Sequence, residues 1–108
     1  MEAEFDIRDA RKEMNPMDVY AVVTCSIEDK ELYERALKHE DSCGLFSVYR
    51  HRKTSATITV QSESSGGADD LAYLSILGED SQIIETLNEI QSIIPKRFVL
   101  EKIVGGHK

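Results

Sequence analysis

The segment SQIIETLNEIQSIIP, residues 81–95, constrains this 108-residue chain more than any other. Ile83, Ile84, Leu87, Ile90, Ile93 and Ile94 recur at the spacing that puts apolar side chains on one face of a helix. Asp80 or Ser81 is the expected N-cap, and Pro95 stops the helix. On either side lie LAYLSILG and KRFVLEKIV, rich in the β-branched and aromatic residues that strands favour. A strand-helix-strand unit with a one-sided helix needs a sheet face to cover.

The preceding residues supply that sheet. DVYAVVTCSI is apolar on both alternating faces and predicts a central strand; EDKELYERALKHED carries a narrow stripe, Leu32, Tyr33, Ala36 and Leu37, and predicts a surface helix. GLFSVYRH and TSATITVQS predict a hairpin turning near Arg52 to Ser55, with one long bent strand as the other reading. SESSGGADD, with Gly66 and Gly67, has the composition of an exposed loop. Residues 1–17, with Ile7, Ala10, Arg11 and Met14 able to form a short turn before Asn15-Pro16, are expected as an N-terminal arm. Residues 18–105 are expected as a single domain and 106–108 as a tail.

The resulting element order resembles that of the ferredoxin-like group, which includes ACT-type regulatory domains and RNA-recognition modules. The resemblance is carried by LAYLSILGEDSQIIETLNEIQSIIPKRFVLEKIV, about a third of the chain. It implies an α+β fold of βαββαβ order, two helices on one face of an antiparallel sheet, with or without one extra strand. The other sheet face is then open. SIEDKEL stands where ACT-type domains have an Asp-x-x-Gly ligand turn, and it has the Asp without the Gly.

Charge and motifs narrow the function. The net charge is -7, and residues 54–95 hold no Lys or Arg but seven acids: Glu63, Asp69, Asp70, Glu79, Asp80, Glu85 and Glu89. The remaining 13 basic residues balance the remaining 13 acids. Such a block repels polyanions, and ATITVQS offers Thr57, Thr59 and Gln61 where an RNA-recognition strand carries stacking aromatics, so nucleic acid is not an expected partner. No apolar run approaches the ~20 residues of a membrane-spanning helix, and the charged start lacks a signal-peptide pattern. A cytoplasmic protein is expected, with Cys25 a buried small hydrophobe of a strand and no disulfide framework.

No metal or cofactor motif occurs, and His39 is expected as a cation at a helix C-terminus. The sharpest local feature is YRHRKTSATITVQ. Arg50, His51, Arg52 and Lys53 are the candidate ligand-binding residues, with Arg50 and Arg52 on one strand face able to fork a carboxylate or phosphate. The same cluster also suits a solvated hairpin tip. The expectation is a non-enzymatic, self-associating regulatory or protein-interaction module, a homodimer or bound to a partner protein, with a small anionic ligand at that tip. The alternative is a thiol- or metal-dependent enzyme using Cys43 with His39 or His51.

Overall fold

A computed structural model describes residues 2–41, 44–63 and 71–103. In chain order the elements are β1 (Glu2–Asp9), α1 (Pro16–Asp29), β2 (Tyr33–Asp41), β3 (Gly44–His51), β4 (Thr57–Glu63), β5 (Leu71–Leu77), α2 (Asp80–Ile93) and β6 (Phe98–Lys102). The strands form one antiparallel sheet ordered β2-β3-β4-β5-β1-β6. No helix among the described residues is long and apolar enough to cross a membrane.

The expected arm is a strand inside the sheet, hydrogen-bonded to β5 on one side and β6 on the other. Ala3, Phe5 and Ile7 are buried and alternate with Glu2, Glu4, Asp6 and Arg8, the two-residue period of a half-buried strand. Asn15-Pro16 starts a helix where a break was expected. The Asn15 side chain accepts the Asp18 amide at 2.9 Å and Pro16 occupies the first turn, where its missing N–H costs nothing.

The expected strand DVYAVVTCSI accordingly lies in α1. Val19, Tyr20, Val23, Thr24 and Ile27 are buried at helical spacing, and Cys25 is exposed on the opposite side. The expected helix over 28–41 is mostly β2. Its good helix formers are overridden because β2 is an edge strand: pairing with β3 supplies its backbone bonds and leaves Glu34, Arg35, Lys38 and Glu40 in solvent. The chain turns into it through Glu31, which takes the left-handed backbone (φ 57°).

The second half matches the expected elements: the β3–β4 hairpin, β5, α2 and β6. Glu79 is the N-cap of α2, and its amide donates to Gln82 Oε1 at 3.0 Å. At Gly44 any Cβ would run into the Ser62 carbonyl, which fixes glycine where β3 meets the end of β4. Of the expected loop SESSGGADD, Ser62 and Glu63 end β4, while residues 64–70, like the tail at 106–108, lie outside the described residues.

One core cluster joins both helices to one sheet face: Val23 and Ile27 of α1 and Ile90 of α2 pack with Phe5, Tyr49, Ile58, Val60, Leu74 and Ile76. At one end of this layer the buried Asp9 carboxylate accepts the amides of Arg11, Glu13 and Met14 at 3.0–3.1 Å and a two-pronged bond from Arg97 at 2.7 and 2.9 Å. The Arg97 bond holds the carboxyl far below the usual carboxylate range; desolvation opposes this and the three amides add to it.

A depressed carboxyl pKa gives stability that is complete above the unfolded value, ~3.9, and is lost as pH falls through the folded one. Asp9→Asn is expected to lower the thermal midpoint at pH 7 by roughly 10 °C. The gap to wild type should narrow as the pH is taken below about 4, and melting curves at pH 7, 4 and 2.5 check both.

Candidate functional site

The four candidate ligand residues do not share a surface. Strand alternation puts Arg50 on the sheet face away from the helices and His51 on the helix side, where it is 7 % exposed. Arg52 and Lys53 belong to the turn after β3 and are exposed. The turn is closed by the His51 amide donating to the Ala56 carbonyl at 3.0 Å and the Arg52 amide donating to the Leu32 carbonyl at 3.0 Å. With Arg52 beyond the strand, the sequence expectation of Arg50 and Arg52 as neighbours on one strand face is not met.

His51 has both ring nitrogens engaged. Nδ1 accepts the amides of Lys53 and Thr54 at 3.0 and 3.2 Å, so the proton sits on Nε2, 3.2 Å from Glu89 Oε1 of α2. Tyr33 of β2 packs edge-on against the imidazole, ring centroids 5.0 Å apart, and donates its hydroxyl to the same Glu89 oxygen. A parallel arrangement lies closer to α1: Tyr49 donates to Glu28 Oε2 at 2.6 Å, Glu28 meets Arg35 at 3.5 Å, and the hydroxyls of Tyr20 and Ser47 are 2.6 Å apart. Burial first, and the carboxylate acceptor second, push the phenols of Tyr33 and Tyr49 well above the ordinary tyrosine range. They remain donors at any ordinary pH. This cluster has the chemistry of a clamp that ties β2 and β3 to the helices.

The alternative constellation lies partly outside the described residues. His39 is on the open face of β2, 5.3 Å between ring centroids from Phe46 of β3, while His51 is on the helix side; Cys43 lies outside the described residues. His39 is therefore a strand residue and not the last-turn cation of a helix. Among the described residues no group of three or more His, Cys, Asp or Glu is placed to hold a metal ion.

The open face is the larger feature, and sequence reading located only part of it. Thr57, Thr59 and Gln61 lie on it as expected, but the register brings Leu37, Phe46 and Val48 to one side of them and Tyr73, Ser75 and Leu77 to the other. Leu37 and Leu77 are 51 % and 50 % exposed. Beyond β5 the same face carries Glu2, Glu4 and Asp6 of β1 and Glu101 of β6, with Arg8 paired to Glu101 at 3.3 Å. Phe46 and Tyr73 are aromatic, contrary to the aromatic-free face that β4 alone suggests. Tyr73 is buried and gives its hydroxyl to Glu63, and its cross-strand neighbour is Asp6, so carboxylates flank this ring, where a nucleobase would need to stack. The alternation EAEFDIRD was the signal that could have placed this acidic fringe from sequence.

Comparison with protein-family models, curated proteins and solved structures found no match. The geometry carries the functional reading alone.

If Glu89 couples β2 to α2, Tyr33→Phe and Glu89→Gln should each destabilise by about 1–2 kcal/mol. The double variant should cost about 1 kcal/mol less than the sum. Urea titrations of the four proteins decide, and strictly additive losses would dissolve the clamp.

Proposed function

We propose that the chain is a non-enzymatic interaction module that self-associates through the open face of its sheet. The observation that carries the reading is the one-sidedness of the layers. Both helices cover one face, and the other presents two half-exposed leucines astride a half-buried field of Phe46, Val48, Thr57, Thr59 and Ser75. Apolar area of this kind gains roughly 25 cal/mol per Å² when water is removed from it.

The occupant of the face is a second copy. One cross-strand row reads Glu34, Arg50, Thr57, Leu77, Glu2. Two sheets stacked about an axis running along the strands between β4 and β5 would set Arg50 of one copy over Glu2 of the other and Leu77 against Thr57. Cation and carboxylate thus occupy positions that reverse into one another. Strands β6-β1-β5-β4 with α1 and α2 also fit the ferredoxin-like reading, with β2–β3 as a hairpin inserted between α1 and β4 that widens the face. A cytoplasmic regulatory or scaffolding role is the setting we favour. A small anion held by Arg50 with His51 is not part of the reading, because the sheet separates those two side chains.

Light scattering over a concentration series tests it. Leu77→Glu alters an exposed position and is expected to weaken association more than about tenfold without shifting the thermal midpoint much. Arg50→Glu should weaken it too, and adding Glu2→Arg should restore it. Indifference of the native mass to all three variants would remove the open face as the interface.

A further inference from the structure

The two edges of the sheet differ. β2 is nine residues long, is broken by a register shift between Arg35 and Leu37, and exposes Glu34, Arg35, Lys38 and Glu40, features that discourage pairing with another chain. β6 is five residues, without a register shift or proline, and Val99 is 47 % exposed. Directions of its backbone groups follow from the flanking bonds. The Arg97 carbonyl accepts the Ala10 amide at 2.7 Å and the Ile103 amide donates to the Glu4 carbonyl at 2.9 Å, so odd-numbered residues address β1. The amides and carbonyls of Leu100 and Lys102, and the carbonyl of Phe98, consequently point away from the sheet. The Phe98 amide is already held by the Pro95 carbonyl at 3.0 Å. Alongside this edge α2 presents Ile84, 62 % exposed, at a cleft of about 340 Å³ that is also lined by Ile83, Ala3 and Lys102.

We infer that the β6 edge is a second self-association surface, on which β6 of another copy pairs antiparallel with Leu100 at the two-fold axis. In that register Leu100 exchanges N–H···O=C bonds in both directions with Leu100 of the copy, and each Lys102 amide meets the other copy's Phe98 carbonyl. The one outward donor that the pairing leaves unused, on Phe98, is the one the protein already satisfies. Side chains agree with the backbone. Val99 falls opposite Glu101 and Phe98 opposite Lys102, so no like charges face each other, and Leu100 meets Leu100 on the helix side, continuing the apolar layer toward Ile84. A foreign strand would need only an amide pattern; the chain's own strand supplies that pattern together with the Leu100–Leu100 contact, and without facing like charges. This surface is independent of the open face, since one extends the sheet sideways and the other stacks on it.

Native mass of the full chain by light scattering or sedimentation is the readout, with helix circular dichroism and melting as the fold control. Leu100→Pro deletes an outward amide and leaves the β1-facing ones in place. Val99→Glu sets a carboxylate opposite Glu101 of the other copy at an exposed position and keeps the test decisive should Leu100→Pro unfold. Each edge variant is expected to cut the assembly mass about twofold while the fold persists. A mass that drops with Leu77→Glu but ignores both edge variants overturns the edge and leaves the open-face reading standing. A drop with the edge variants alone supports the edge and removes the open face, and a monomeric wild type at all concentrations overturns both.

Discussion

Much of the arrangement depends on one carboxylate. Asp9 ends β1 at the point where the chain must leave the middle of the sheet, turn and begin α1, and its oxygens collect the amides of Arg11, Glu13 and Met14 that the turn would otherwise leave unpaired. Lys12 takes a left-handed backbone (φ 55°) within this turn. Arg97 approaches from the other crossover, between α2 and β6, and its backbone carbonyl accepts the Ala10 amide as well. One charge pair therefore joins both strand-helix connections at the same end of the molecule. Both helices are brought to the same face, and no helix among the described residues covers the opposite one.

The distant end is held differently. There the helices meet the β2–β3 hairpin through tyrosine hydroxyls given to Glu28 and Glu89 and through an imidazole whose two nitrogens bridge a turn and a helix. Hydrogen bonds to ionised acceptors are stronger than neutral ones, and they also demand one geometry. An apolar contact would tolerate the hairpin sliding along the helices, whereas these acceptors do not. These bonds therefore hold the outer strands β2 and β3 at one position along the helices.

Legibility from sequence followed how far each signal was local. The stripe of α2, the β3–β4 hairpin and the flanking β5 and β6 were readable because period and punctuation agree there. The first half failed because two local signals pointed the wrong way. DVYAVVTCSI is apolar enough for a buried strand, yet Asn15-Pro16 caps it as a helix, and only the tertiary need for a cover over β4 and β5 distinguishes the readings. ELYERALKH has helix-forming side chains, and pairing with β3 overrode them. Among the candidate site residues, alternation correctly separated His51 from Arg50, but nothing in the spacing shows that Glu89, thirty-eight positions away, receives the imidazole.

The charge boundary in the sequence is a further case, and it bears on function. Residues 54–95 hold all the excess negative charge, but the fold disperses it: Glu63 is taken up by Tyr73, Glu89 by the clamp, and Asp80 and Glu85 lie on the outside of α2. The acid on the open face comes from Glu2, Glu4, Asp6 and Glu101, outside that block, in the part of the chain whose charges sum to zero. A net charge of -7 keeps copies apart at long range. Self-association as proposed would rest on short-range features: leucines released from water, amides facing outward along β6, and an arginine that finds a carboxylate only when the sheets are stacked in the right order. In that proposal, repulsion at distance combined with a self-complementary face and edge would admit the chain's own copies in defined registers and reject looser contacts.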